Sequence, residues 1–251
     1  MQAEPAITVT PRALDPALPI SPQILDHLRE AIIQNRLSPG DRISESEIAR
    51  LHDVSRQPVR EAFIRLAGEG LVAILPQRGT VVTRISYTAV LDARFLREAI
   101  EADVVAILAA APDAALVREL RRQIAAQQAA VQAPPREFIG LDELFHRTLA
   151  EGAGKRGTWR LIEGLKSQMD RVRFLSFFEF PARKLVGQHK AVVDRIGIGD
   201  LPGANAAIRG HLREVLSDLP RIIDANPAFF DLPDGQMPEP VNAPVQGGKG
   251  T

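Results

Sequence analysis

The chain has 251 residues, 45% of them hydrophobic and 25% charged, with 31 basic and 31 acidic side chains and no cysteine. This apolar content and length suffice for one large or two modest packed domains, and the missing cysteines exclude disulfides and thiolate metal ligands. A formal net charge of zero argues against indiscriminate nucleic-acid binding by the whole surface and leaves room for a local basic face.

The apolar runs are too short to cross a bilayer, and residues 2–19 carry acids and prolines rather than the apolar centre of a signal peptide. A cytoplasmic protein with no membrane partner is expected. Residues 1–20 read as a flexible arm. Ser21 and Pro22 form an N-cap and first-turn pair, opening a helix that buries Ile24, Leu25, Leu28 and Ile32 and ends near Leu37, before Pro39-Gly40. Ser44-Glu45-Ser46-Glu47 is a capping box for a short helix containing Ile48 and Leu51. The turn His52-Asp53-Val54 leads to Ser55, a second N-cap.

The helix that follows organises the chain. Val59, Ala62, Phe63 and Leu66 recur at helical spacing and give one buried face, while Arg56 and Arg60 are neighbours one turn apart on another face. Pro58 falls in the first turn, where a missing N–H costs little, and Gly68 or Gly70 should end the helix. Alone, such a helix could equally be amphipathic with solvated arginines. With the preceding capped helix it makes a helix-turn-helix whose second helix is the reader. Leu71–Leu75 and Thr80–Thr83 are strand-like around the turn Pro76-Gln77-Arg78-Gly79, so a hairpin wing with Arg78 at its tip is predicted. Ile85-Ser86 then serves as a short connector.

From Tyr87 to Asn226 helical periodicity runs in blocks punctuated by proline or glycine. The first holds Leu91, Phe95, Ile100, Val104, Ile107 and Leu108 and stops at Pro112. The second holds Leu116, Leu120 and Ile124, and the third Phe138, Leu141, Phe145 and Leu149. A fourth runs from Trp159, a core anchor, through Leu165, Met169 and Val172 toward Phe178. A fifth follows Pro181, and the last contains Ile208, Leu212, Val215 and Leu219. This predicts an all-α bundle. Residues 226–251, rich in Pro and Gly, read as a disordered tail.

Within the bundle, His146, His189 and His211 occupy three different blocks, and Asp142 lies one turn before His146. A carboxylate and a histidine from one helix can converge with histidines from two others, which is how bundles build metal sites. All-N/O ligation suits Zn, Ni, Mn or Fe without selecting among them. The alternative is three separate hydrogen-bonded histidines.

Taken in order, Pro39-Gly40-Asp41, Glu47-Ile48-Ala49, the run Val54–Ala62, Glu69-Gly70-Leu71-Val72 and Gln77-Arg78-Gly79-Thr80 resemble the winged-helix domain of GntR-family transcription regulators over residues 21–84. Phe95–Glu101, Asp142–His146, Gln188-His189-Lys190 and Gly210-His211-Leu212 resemble the C-terminal ligand-binding FCD domain of the FadR-type branch over residues 88–225. The resemblance implies a mainly α fold, a winged helix-turn-helix of three helices and a hairpin followed by a helical bundle. It implies contacts to operator DNA from Ser46, Ser55, Arg56, Gln57, Arg60, Arg78 and Gly79. It implies a divalent metal, Zn, Ni or Mn, on Asp142, His146, His189 and His211, with a small organic or sugar acid at its open positions. Arg97 matches a family arginine and is the candidate partner for the effector carboxylate. Arg173 is a second candidate, on the helix expected to line the pocket; a simple ion pair is the plainer role for each. The expected protein is a homodimeric, effector-responsive regulator of the repressor type, reading a palindromic operator. A metal-responsive regulator and a metal-dependent hydrolase using the three-His, one-Asp site are the alternatives.

Overall fold

In the computed structural model, which describes residues 12–176, 182–233 and 237, the N-terminal domain is built on α1 (Ile20–Ile33), α2 (Glu45–Leu51) and α3 (Arg56–Gly68). A small sheet of β1 (Arg42–Ile43), β2 (Val72–Leu75) and β3 (Gly79–Val82) completes it, in the order β1-β3-β2. Both pairings are antiparallel, with Val72 opposite Val82 and Leu75 opposite Gly79. The hairpin turn places Gln77 at φ 58° and Gly79 at φ 83°, a left-handed geometry that glycine adopts without steric cost. Ile24, Leu28, Ile32, Ile48, Val59, Phe63, Leu66 and Leu71 form one buried cluster.

Details at the helix ends differ from expectation. α1 begins one residue before Ser21, with Pro19 at its N-cap position and no side-chain cap. Gln23 is the reason: its amide donates to the carbonyls of Asp15, Leu18 and Pro19 and accepts from the Asp15 N–H at 2.8 Å. The end of the expected arm is thereby tied to the first turn; residues 1–11 lie outside the described residues. α1 stops at Ile33 rather than near Leu37, because Asn35 turns left-handed at φ 56°. Ser44 caps α2 by accepting from Ser46 N–H, whereas Ser55 makes no side-chain cap bond to α3.

The second domain contains α4 (Tyr87–Ala110), α5 (Ala114–Ala129), α6 (Pro135–Gly152), α7 (Arg156–Leu165), α8 (Ser167–Ser176), α9 (Ala182–Gly197) and α10 (Leu201–Ala225). α10 lies along α4 and α9, and α5 packs between α6 and α9. The expected fourth block is two helices, α7 and α8. They meet at Lys166, whose buried ammonium is held by Glu143 and by Asp170 at 2.5 Å. Turning the helix there leaves Leu165 half-exposed while Met169 and Val172 stay buried. The reach of that block to Phe178, and Pro181 before α9, lie outside the described residues.

The chain beyond 226 begins in ordered form, contrary to the expected tail. A 3₁₀ turn (Pro227–Phe229) leads into β5 (Phe230–Asp231), which pairs in parallel with β4 (Ile85–Ser86). Ile85 and Phe230 are both buried in a cluster with Met169, Val172 and Ile222. The connector is therefore a pinned strand rather than a loose joint. Residues 234–236 and 238–251 lie outside the described residues.

α8 also docks the two domains. Gln168 Nε2 donates to the Gly70 carbonyl at 2.9 Å, Arg171 donates to the Thr83 carbonyl at 2.8 Å, and Ser167 donates to Glu69 at 3.3 Å. Gly70, at φ 68°, is the turn that follows α3, and Thr83 follows β3.

Inside the bundle, Glu98 on α4 is almost fully buried and collects Arg94 at 2.6 Å, Arg209 at 2.8 Å and Arg213 Nε at 2.9 Å. The Arg213 hydrogen bond leads in holding its carboxyl down to about 2, against burial and with help from Arg209 and Arg94. A depressed carboxyl stabilises the fold above its unfolded pKa of about 4.3 and loses that contribution as pH falls through the folded value. Glu98→Gln is expected to cost roughly 2–4 kcal/mol at pH 7, since it leaves guanidinium groups without their anion. Urea denaturation measures this. The gap between wild type and variant should narrow as pH drops from about 4.3 toward 2; a gap independent of pH would show that the charge is not the cause.

Candidate functional site

α3 turns its apolar face into the domain and leaves the opposite face to solvent. Arg56, Gln57, Arg60 and Arg65 are exposed, as are Ser46, Ser55, Arg78 and Gly79. All seven candidate DNA-contacting residues are thus surface residues. Arg56 donates across to Glu45 at the start of α2 at 3.0 Å, and Gln57 donates to Glu61 one turn on along α3 at 3.2 Å. Arg42 on β1 and Arg50 at the end of α2 are exposed too and add positive charge beyond the candidate set.

The second site is buried. Asp142 and His146 project from one side of α6, His189 from α9 and His211 from α10, and their four ligand atoms lie within 4.8 Å of one another. His211 Nε2 stands 3.2 Å from Nε2 of both His146 and His189. Asp142 oxygens lie 3.9 Å from His146 Nε2 and 3.6 Å from His189 Nε2.

The outer nitrogen of each ring settles what the inner one carries. His146 Nδ1 meets Glu101 at 2.6 Å, His189 Nδ1 meets Gln127 Oε1 at 2.8 Å, and His211 Nδ1 meets Gln188 Oε1 at 3.0 Å. Burial opposes ionisation of Glu101, but Arg97 and His146 hold its carboxyl down to about 2, so it only accepts. The Gln127 amide donates to the Leu141 carbonyl and the Gln188 amide donates to Glu214. Each glutamine therefore turns its oxygen to a histidine. All three Nδ1 atoms must donate, and in a neutral ring Nε2 then carries a lone pair.

With neutral rings, three lone pairs converge on one point. Burial drives His189 down to about 3 against the pull of Asp142, and burial likewise holds His211 well below its usual value. Burial alone would raise Asp142, but the Arg173 guanidinium beside it keeps its carboxyl well below the usual range. Among the described residues, no hydrogen-bond donor reaches Asp142 Oδ1. The arrangement fits a cation. Nitrogens about 2.1 Å from a shared ion stand roughly 3.0–3.4 Å apart, and deprotonated ligands with fixed outer partners are what such an ion requires.

Arg97 and Arg173 both border a cavity of about 60 Å³ beside His211. Arg97 pairs with Glu101 one turn on, at 2.7 Å, with both side chains buried. Arg173 on α8 pairs with Asp142, which keeps it protonated despite its burial. Each is thus an ion-pair member and a cavity wall at once. Phe145 stacks on His189 at 4.2 Å, and Trp159 is buried with Ile162 and Ala150 beyond His146. Glu101, Gln127 and Gln188 carry no assigned role in the sequence reading. Glu101 and Gln188 stand within quoted motifs, whereas Gln127 gives no local signal.

The comparisons with known proteins agree with this two-part architecture. Residues 20–82 match the family of bacterial regulatory proteins named gntR, and residues 92–214 match the FCD domain. An HTH-type transcriptional regulator in an unstable DNA locus of Streptomyces ambofaciens is 39% identical over 84% of this chain and 89% of its own length. This chain belongs to the GntR family. The HTH-type transcriptional repressor RspR of Escherichia coli K12 is 35% identical over 86% of this chain and 96% of its own length. The fold is shared with the solved structure of E. coli McbR/YncC, with a TM-score of 0.68, 18% identity and coverage of 81% of this chain and 98% of that one. These families and relatives are transcription regulators, not enzymes, so the hydrolase alternative is set aside. Among the described residues, no helix is long and apolar enough to cross a membrane.

For this GntR-family regulator, Arg56→Ala and Arg60→Ala are each expected to weaken binding to operator DNA selected from a random pool. A lost base contact costs about 1–3 kcal/mol, and a lost phosphate contact lowers affinity for operator and random DNA alike. Electrophoretic shift with both DNAs reads the difference. Unchanged operator affinity in both variants would sink the assignment of α3 as the reader.

Proposed function

We propose that the protein is a homodimeric transcriptional repressor of the cytoplasm. In this reading its paired winged helices bind a palindromic operator, and its bundle holds a divalent metal and a small organic acid that modulates operator binding. The observation that carries the ligand half is the convergence of three lone-pair nitrogens and the Asp142 carboxylate, each ring fixed from behind. Asp142, His146, His189 and His211 would hold the ion, and Zn, Ni or Mn all suit that donor set. When bound, the ion supplies a Lewis-acidic centre for oxygen donors.

Charge supports an anionic effector. The pairs Arg97–Glu101 and Arg173–Asp142 are each neutral, so a dication adds two buried positive charges that an anion offsets. Two guanidinium groups at the cavity suit a carboxylate, which they recognise by forked hydrogen bonds. Hydroxy acids and sugar acids belong to this class. The route to DNA is α8, because Arg173 faces the cavity while Gln168 and Arg171 grip the turn after the reading helix and the end of the wing. Coupling of this kind is reciprocal between operator and effector. The repressor reading draws on the name of the E. coli relative. The dimer reading draws on α4, which leaves Phe95, Leu96 and Ile107 at 49%, 40% and 45% exposure, apolar side chains that a partner subunit would cover.

Elemental analysis of protein purified without chelator is expected to find one divalent metal per chain. His189→Ala, His211→Ala double-variant protein should lose it, and chelation should lower the thermal midpoint of the wild type alone, because an ion binding the folded state stabilises it. Equal metal content in wild type and double variant would remove the site. Operator release on chelation, with no response to any acid, would favour metal sensing instead.

The same preparation should sediment as a dimer at micromolar concentration. A species that remains monomeric both free and on operator DNA would count against paired reading heads.

A further inference from the structure

The cleft between the end of α6 and the start of α7 belongs to neither the reading face nor the histidine cluster. Arg147 and Glu151 line it from α6, and Arg156, Trp159, Arg160 and Glu163 line it from α7. The four α7 positions recur at helical spacing, so one face of that helix borders the cleft from its first residue onward. Two donor groups there lack acceptors. The N-cap position of α7 is Lys155, which makes no side-chain cap bond, and the first turn holds no acid. That leaves backbone N–H groups without a cap at the positive end of the helix. Gly157 keeps the turn open, since a Cβ on it would meet no atom within 4 Å. Independently, Trp159 is 2% exposed, and its buried indole nitrogen has no hydrogen-bond partner among the described residues. An indole N–H can only donate, so what it lacks is an acceptor.

The charged groups show the same surplus of donors. Arg147 donates through Nη2 to Glu163 at 2.8 Å, and Arg156 through Nε to Glu151 at 3.0 Å. A guanidinium carries five N–H donors, so each has several left. Arg160 is exposed and has no carboxylate partner among the described residues.

We infer that this cleft binds a phosphoryl group, either free phosphate or the phosphate of a small monoester. A tetrahedral oxyanion with nearly two negative charges presents at least three strong acceptor oxygens. These suit guanidinium groups, the indole N–H and the first N–H groups of α7 together. A carboxylate brings only two oxygens and one charge. Hydrogenphosphate also keeps an O–H that can donate to Glu151 or Glu163, whereas sulfate meets those carboxylates only as like charges.

Trp159 is the only tryptophan of the chain, so its fluorescence reports on the cleft directly. Full-length protein is titrated with phosphate, glycerol 3-phosphate, sulfate and acetate at constant ionic strength. A saturable change is expected with phosphate or the monoester, with sulfate at least tenfold weaker and acetate silent. Tighter binding of glycerol 3-phosphate would assign the site to an esterified ligand, and tighter binding of phosphate to the free ion. Arg160→Gln should weaken binding about tenfold, the loss of a charge-assisted contact, while Arg122→Gln, a surface change on α5, should leave it as in wild type. Trp159→Phe keeps an apolar ring and removes the N–H; followed by isothermal titration, it should lose roughly fivefold. The response should survive chelation, which separates this site from any ion held by the histidine cluster. The inference is overturned by no saturable response to phosphate or monoester, by sulfate or acetate acting equally well, by loss of the response on chelation, or by Arg160→Gln binding as tightly as wild type.

Discussion

The bundle is arranged around a constraint on three protons. His146, His189 and His211 each give their outer N–H to an acceptor, and each acceptor is itself fixed: Glu101 by Arg97, Gln127 by the Leu141 carbonyl, Gln188 by Glu214. The three inner nitrogens are left facing one another at separations as short as 3.2 Å. In a low-dielectric interior, unshared lone pairs at that distance repel unless something positive lies between them. The helices α4, α5, α6, α9 and α10 all contribute either a ring or its restraint. Their packing is therefore inseparable from the chemistry of the cluster.

The buried charges follow a related logic. Glu98 gathers arginines from α4 and α10, Lys166 is shared by Glu143 and Asp170, and Arg173 is matched by Asp142. Isolated charges in such positions would be prohibitive, whereas compensated ones fix the register of helices that apolar packing alone would leave free to slide. Arg171 is the exception. Fully buried, it donates to the Thr83 carbonyl and Gln168 and has no carboxylate partner among the described residues. Burial accordingly lowers it to about 10.

Much of this was readable from the chain because its signals are local. Asp142 and His146 share a helix face by their spacing alone, and the capped α2, the apolar stripe of α3 and the turn around Gly79 each have short-range causes. What stayed hidden depends on residues distant in sequence. Gln127 sits in an alanine-rich turn of α5 and becomes a histidine partner only because α9 packs beside it. Lys166 ends a helix for the sake of carboxylates on α6 and α8, which no periodicity reveals. Phe230 lies in a stretch whose composition reads as tail, and its strand exists only because Ile85 offers an edge; two-residue strands have no propensity of their own. The left-handed Asn35 likewise shortened α1 where apolar periodicity alone would have carried it on. The cavity is the extreme case, since its walls come from α4, α6, α8, α9 and α10 together.

α8 is ten residues long and has no face without a task. Met169 and Arg173 border the cavity beside His211, Gln168 and Arg171 hold the winged domain, and Val172 belongs to the cluster that anchors β4 and β5. Neighbouring positions on this one helix should therefore yield opposite genetic outcomes. Under the proposed function, changes on the cavity side should give alleles deaf to an effector, and changes one residue away, on the docking side, should give alleles that no longer hold the operator. A selection for altered regulation would concentrate both kinds within three turns of helix, away from the exposed arginines of α3.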